Sequence, residues 1–379
     1  MNFELSEEQL MIQKMARRFA EEKIAPIAEK SWEEEEFPYD LFAQMGELGL
    51  VGIPYPEEYN GGGMDVLTFA LVLEELARID NSVANSIMAN SSCASLINNF
   101  GTTEHKEKYL APILAGEKIG AIGLTEPNAG SDAAAIQTTA VLNGDEWIIN
   151  GSKIFITNSG TDITWPVVIA AVTGTGEKKE ISNFIVSSGT PGFNISKKFK
   201  KIGWRASDTR ELSFDDCRIP AENLLGKRGE GLKQTLSTIN TGRILIASMA
   251  VGLAQGVLDA CLDYVKGRFA FGKPIGKFQT IQHKLADMAT KTEIARVMVH
   301  KAAVLRDSGK PFSKEASMAK LFATEMAMEA AHQGIQIHGG YGIMTEYAVS
   351  RYFGDAKVLE IVEGTSEIQR TVIARQLGL

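Results

Sequence analysis

The chain has 379 residues, 44% of them hydrophobic, and a formal net charge of −8. That length allows two or three domains with sizeable cores. The acidic balance argues against a non-specific nucleic-acid binder, which needs a basic face, and no apolar run reads as a bilayer span of roughly 20 residues.

The opening "MNFELSEEQL" lacks the basic end and apolar core of a signal peptide and is too acidic for a transit peptide. The cysteines, Cys93, Cys217 and Cys261, are scattered and form no CxxC pair, so a reducing cytoplasm is expected. The histidines contain no HExxH, and His332 and His338 are poorly spaced for one helix face, so no metal site is expected.

In chain order, Ser6 and Gln9 form a capping box before Met11, Ile12, Met15 and Phe19, which recur at helical spacing. Pro26 is expected to end that helix. A second helix is expected over 39–48, and the loop "YPEEYNGGGMD" precedes a helix capped by Asp65. "ANSIMANSSCASLINNFG" also reads as helix. From Ala121 the texture changes to alternating runs. Asn143-Gly144 predicts a hairpin, and Asn150-Gly151 a second turn. "TWPVVIAAVTG", "SNFIVSS" and "RELSFDDCRIP" continue the β pattern to about Leu225, which predicts an antiparallel barrel or sandwich. From Gly229 long helices return, with apolar periodicity through 279–307 and 313–337, as in an antiparallel bundle. The expected class is α+β: an N-terminal helical domain over 1–120, a middle β domain over 121–226 and a C-terminal helical bundle over 227–379.

Several segments carry chemistry-bearing residues. "GLTEPNAGSDAAA" is rich in small residues and hydroxyls, either a turn-rich linker or a stretch offering backbone N–H groups to a polar ligand. "KIFITNSG" sets Phe155 and Thr157 on one side of a strand, as a core pair or as the flank of a flat heterocycle. Arg268 and Gln279 lie in and beyond a basic turn, and Asn240 and Arg243 share a helix; solvated charge or anion contact fits both sets. In "IQIHGGYG" a helix cap explains the first glycine but not three of them. "VLEIVEGTSEIQR" sets Glu363 between aliphatic residues and a glycine. It is either a first-turn acid favoured by a helix dipole or a base in apolar surroundings.

Together, "LTEPNAGSD", "GWRASDTRELSFDDCRIP", "FGKPIGKFQTIQ", "QIHGGYG" and "EGTSEIQR" occur in the order and spacing of the acyl-CoA dehydrogenase family of flavoenzymes, which the chain resembles over nearly its whole length. The resemblance implies a helical domain, a β domain and a C-terminal four-helix bundle, usually in a homotetramer built as a dimer of dimers. It implies FAD, lined by Ile122, Leu124, Thr125, Gly130 and Ser131, with Phe155 and Thr157 beside the flavin ring. Arg268, Gln279, Gln336, Gly339 and Gly340 are implied to reach the FAD of a neighbouring subunit, and Thr365 and Glu367 also to contact FAD. Ser131, Asn240, Arg243, Val362 and Gly364 are implied around the acyl-CoA substrate.

Glu363 is implied as the catalytic base. The resemblance implies that it takes the α-proton while a hydride leaves the β-carbon for the flavin, giving a 2-enoyl-CoA, and that electrons pass to an electron-transfer flavoprotein. Ile361 and Val362 are expected to keep water from the carboxylate and raise its pKa. Three positions depart from common relatives: Val362 for Tyr, Phe155 for Trp and Asn240 for Asp. Val362 leaves room for a short, branched or alicyclic acyl group. The alternatives are a flavin-dependent oxidase or monooxygenase on the same fold, or a non-catalytic acyl-CoA-binding relative; Glu363 and the intact flavin loop speak against both.

Overall fold

Ser6 opens the first helix by a reciprocal box: its hydroxyl accepts from Gln9 N at 3.1 Å, and Gln9 Oε1 accepts from Ser6 N at 3.0 Å. The computed structural model describes residues 4–176 and 179–379. Helix α1 (Glu7–Phe19) does not stop at Pro26. A π-helical segment (Ala20–Ile24) leads directly into α2 (Ala25–Glu34), with Pro26 in its first turn. Pro26 has no N–H to donate to the turn before it, and the π-helical segment there lets the helix continue instead of ending. Next come α3 (Tyr39–Glu47), α4 (Val66–Ala77), α5 (Asn81–Phe100), α6 (Thr103–His105) and α7 (Ala111–Leu114).

Asp65 caps α4 by accepting from Thr68 N at 2.7 Å. The first two free N–H groups of α4, on Val66 and Leu67, go instead to the Asp307 carboxylate, each at 3.1 Å. One acid from the far end of the chain thus completes this helix start.

The sheet comprises β1 (Ile119–Gly123), β2 (Thr139–Asn143), β3 (Glu146–Thr157), β4 (Thr164–Thr175), β5 (Lys179–Ser187), β6 (Phe193–Ile195), β7 (Thr209–Pro220) and β8 (Leu224–Leu225). The order is β6-β7-β3-β2-β4-β5-β8, with β1 beside β4. The pairings are antiparallel except where β1 and one residue of β2 run parallel to β4. In the β2–β3 hairpin Asn143 pairs with Glu146, so the turn is Gly144-Asp145, with Gly144 at φ +66°. The expected second turn at Asn150-Gly151 is a bulge. Strand β3 runs through it while its register against β7 shifts between Ile149 and Gly151. Both flanks of this Asn-Gly pair with a third strand, so the left-handed freedom of Gly151 (φ +140°) bends the strand rather than reversing it.

The chain continues through α8 (Gly231–Gly267), a hairpin of β9 (Phe269–Ala270) and β10 (Lys273–Pro274), α9 (Gln279–Asp307), α10 (Ser313–His338), α11 (Ala348–Leu359) and α12 (Ser366–Gln376). Helices α9 and α10 run antiparallel, as Lys291–Glu329 at 2.6 Å and the Lys284–Gln333 bond show. Helix α10 runs alongside α8 in the same direction, with Arg243 meeting Ser317 and Cys261 meeting His338.

Among the described residues only α8 is long and apolar enough to cross a bilayer, although no such run stood out in the sequence; 83% of its most apolar window is buried in the protein. An apolar circumference here marks the centre of a bundle. Sheet and helices are tied together by Trp204 N on Asp355 Oδ1 at 2.6 Å, and by Asn183 Nδ2 on Gly231 O at 3.0 Å.

Asp307→Ala leaves two N–H groups of α4 without a partner and is expected to cost about 1–2 kcal/mol. Urea denaturation reads this as a lower midpoint. An unchanged midpoint would show that Asp65 alone secures this helix start.

Candidate active site

Helix α11 ends at Leu359, and α12 starts after Thr365, whose hydroxyl accepts from Ile368 N at 3.4 Å. Between them the chain makes a left-handed pair, Glu363 at φ +53° and Gly364 at φ +92°. Glu363 therefore does not lie in the first turn of the last helix; Glu367 does, exposed. A non-glycine residue in this conformation persists only where its surroundings over-determine it. Here they do. Gln369 Nε2 donates to the carbonyls of Glu363 (3.1 Å) and Gly364 (2.8 Å). Lys320 Nζ donates to those of Glu360 (3.1 Å) and Gly364 (2.9 Å).

This turn aims the Glu363 carboxylate at Gly242 on α8, where a Cβ would stand 2.9 Å from its Oε2. That oxygen is buried and has no hydrogen-bond partner among the described residues. Burial pushes the Glu363 carboxyl up to about 7, with the nearby Arg243 and then Lys320 charges pulling the other way. Arg243 is itself buried, its Nη1 donating to Asn240 Oδ1 at 2.8 Å and Ser317 Oγ at 3.3 Å while its Nε has no partner. Asn240 Oδ1 also accepts from Ser313 Oγ at 3.2 Å. Ile361 is not the shield expected of it. It is 55% exposed, and the helical core screens the carboxylate, with Val362 partly buried against that core.

The second group forms where β1 runs out. Lys153 on β3 is fully buried and donates to Glu126 Oε1 at 2.7 Å and Leu124 O at 3.3 Å. The Glu126 carboxylate also accepts from Gln137 N at 2.6 Å and Thr138 N at 3.0 Å. Burial pushes Lys153 down to about 8, and the Glu126 carboxylate opposes that fall. This pair pins the loop of residues 122–131 to the sheet. It escaped the sequence reading, although a lysine on the inward side of an alternating strand was its signal.

Thr125 O accepts from Ile154 N at 2.9 Å, seating the loop beside Phe155 and Thr157. Ile156 is buried, so its two neighbours lie on the outer side, and Phe155 reaches it through a bulge at φ +62° with 64% exposure. The hydroxyls of Thr125 and Thr157 have no protein partner among the described residues. Gly130 faces open space and Ser131 is exposed. Leu124 shares an apolar cluster with Leu232, which places this group against the start of α8.

A third group sits at the other end of α8. Arg268 caps that helix, its guanidinium 5.4 Å from the Tyr341 ring. A cavity of about 540 Å³ is lined there by Tyr264, Arg268, His338, Gly339, Gly340 and Tyr341, among others. A Cβ on Gly339 or Gly340 would meet nothing, Gln336 is exposed on α10, and Gln279 opens α9 nearby. From Arg243 to Arg268 is about 37 Å at the rise of an α-helix. One chain therefore brings Asn240, Arg243, Val362, Glu363 and Gly364 together, but holds Arg268, Gly339 and Gly340 far from them. Among the described residues no three His, Cys, Asp or Glu side chains converge as a metal site.

Comparison with known proteins matches three successive family models: the acyl-CoA dehydrogenase N-terminal domain over residues 6–117, the middle domain over 121–217 and the C-terminal domain over 229–378. The short-chain specific acyl-CoA dehydrogenase of Clostridium acetobutylicum is 46% identical over 100% of both chains. Butyryl-CoA dehydrogenase from Megasphaera elsdenii superposes with a TM-score of 0.97 at 43% identity, covering 100% of both chains. A chain from the structural work on the electron transferring flavoprotein of Acidaminococcus fermentans superposes equally well, TM-score 0.97 at 48% identity, over 100% of this chain and 99% of that one. Matched from end to end by these models and relatives, the chain belongs to the acyl-CoA dehydrogenase family.

Proposed function

We infer that this enzyme removes the α- and β-hydrogens of a short acyl-CoA thioester, with Glu363 as base and FAD as cofactor. One observation carries the reading: Glu363 Oε2 is buried and unpartnered, and the proton affinity of the carboxyl sits near neutrality. A base works best when its pKa lies near the working pH.

The residues present fit a flavin dinucleotide. The unpartnered hydroxyls of Thr125 and Thr157, the outward Phe155 and the open ground at Gly130 all border the loop pinned by Lys153. Bound there, FAD supplies the two-electron acceptor for the hydride. Thr125 and Thr157 would offer it hydroxyls, and Phe155 would pack beside it. Glu363 takes the α-proton on Oε2. Its own backbone N–H has no protein partner among the described residues and is free to donate to the thioester carbonyl, where charge develops as the proton leaves. Arg243, whose charge opposes the effect of burial, keeps the carboxylate from holding its proton through neutral pH.

The separation along α8 supports a site completed between two copies of the chain, with Arg268, Gln279, Gln336, Gly339 and Gly340 serving the cofactor of a neighbour in a homotetramer. The acceptor of the electrons is an electron-transfer flavoprotein, in line with the setting in which the A. fermentans chain was solved. The short-chain and butyryl names of the relatives support a short acyl group, and half-buried Val362 leaves room for a branched or alicyclic one.

Anaerobic mixing with butyryl-, isobutyryl- and cyclohexanecarboxyl-CoA is expected to bleach the flavin absorbance with at least one of them faster than with long straight-chain thioesters. A preference for long straight chains would overturn the substrate assignment. Glu363→Gln is expected to keep bound FAD and lose at least 100-fold in kcat. The same variant tests the burial. A carboxyl raised from its ordinary 4.5 to about 7 in the folded protein destabilises it. That penalty is absent below the unfolded pKa, grows between the two values and is full above the folded one. Glu363→Gln should therefore melt higher than wild type at pH 8, with the gap closing near pH 4.5. Gly242→Ala improves helix propensity by about 1 kcal/mol but sets a methyl against Oε2. A fall in kcat of about 10-fold or more without loss of folded protein is expected, and an unchanged kcat would show that the carboxylate does not work from above Gly242.

A further inference from the structure

Lys320 is a fully buried lysine in the middle of α10. Its ammonium does not pair with a carboxylate among the described residues; it donates to the carbonyls of Glu360 and Gly364, at 3.1 Å and 2.9 Å. These two carbonyls bracket the left-handed Glu363–Gly364 pair. One cation thus ties both ends of the turn that presents the base, and does so from a different helix.

We propose that Lys320 is a positioning residue for the dehydrogenation: its buried ammonium clamps the turn carrying Glu363 over Gly242 and keeps a positive charge beside that base. The inference rests on Glu363 being the base. The charges around Lys320 favour that role. Glu363 and Glu360 face it from the turn, Arg243 from α8 and Glu325 from its own helix. Glu360 is engaged by Lys357 at 2.6 Å, and Glu325 by Arg370 at 2.8 Å. Of these three acids, Glu363 is the one without an ion partner among the described residues. Burial pushes Lys320 down to about 8, with the Glu363 charge holding it up. The ammonium and the carboxylate each stabilise the charged form of the other.

A neutral residue at 320 removes two bonds and one charge. The lost bonds let the carboxylate drift from its position, and a displacement of about 1 Å is enough to cost up to 100-fold in rate. The lost charge raises the proton affinity of Glu363, so the rise of kcat with pH moves to more alkaline values.

The test compares Lys320→Met, Lys320→Arg and Glu363→Gln as FAD-loaded proteins. Lys320→Met is expected to hold KM within about 3-fold, to lose roughly 10–100-fold in kcat, and to shift the acid limb of the kcat profile upward by about one pH unit. The carboxyl infrared band of Glu363, identified by its loss in Glu363→Gln, should titrate higher by the same amount, a readout independent of turnover. Lys320→Arg keeps the charge and should keep the limb in place while losing part of kcat. Combined with Glu363→Gln, Lys320→Met should cost little further rate, since both act through one group. An unshifted infrared band with wild-type kcat in Lys320→Met would overturn the proposal, as would a rate loss that only tracks lost flavin. If Lys320→Met does not fold, Lys320→Arg decides: a limb that moves although the charge is kept overturns it. Wild-type turnover in Glu363→Gln would instead overturn the assignment of the base, whatever Lys320 does.

Discussion

Glu363 Oε2 is kept from water with no donor among the described residues to meet it, and the rest of the site is arranged around that unfavourable placement. A buried ionisable group without a partner shifts toward its neutral form. Left alone, such a carboxyl would hold its proton. The protein sets two charges, Arg243 and Lys320, near enough to oppose the effect of burial. Neither neutralises it by direct pairing. The carboxylate can then both take a proton and release it near neutral pH.

The same device recurs at the other side of the site. Lys153 and Lys320 are both fully buried, and burial brings both down to about 8. Lys153 holds the loop at 122–131 through Glu126 and the Leu124 carbonyl; Lys320 holds the turn at 360–364 through two carbonyls. A flexible side chain with three donors reaches backbone oxygens that lie outside the regular ladders of strand and helix. Each lysine thereby turns an irregular segment into a fixed one. Irregular backbone is what a site needs if N–H groups are to stay free for a ligand, and a rigid support is what keeps it in place.

Helix α8 connects these parts. Its start packs beside the pinned loop, Gly242 and Arg243 lie near the Glu363 carboxylate, and its far end carries Arg268 at the glycine-lined cavity. Its apolar circumference is explained by what surrounds it: α4, α9, α10 and α11 all pack against it. The length that makes it a good core helix also separates two groups of ligand-type residues in one chain. That separation is what the proposal of a site shared between copies rests on.

The sequence by itself determined the order of helices, sheet and helices, the caps at Ser6 and Asp65, and the family, because these rest on local periodicity, local hydrogen bonds and ordered motifs. It also singled out Glu363, since a carboxylate among aliphatic residues is anomalous in one dimension. Other features needed the third. Asn150-Gly151 is a bulge and not a turn because of β7, which no local pattern reveals. Asp307 reaches α4 from 240 residues further along the chain. Ile361 was expected to shield the base and is exposed instead, because the left-handed turn at Glu363 sends the carboxylate back toward α8 while Ile361 stays outside. Lys320 became legible only when α10 was laid against that turn. Local physics fixes which segments form and where they start; which polar groups are left unpartnered, and which distant charge answers them, depends on contacts between segments that only packing brings together.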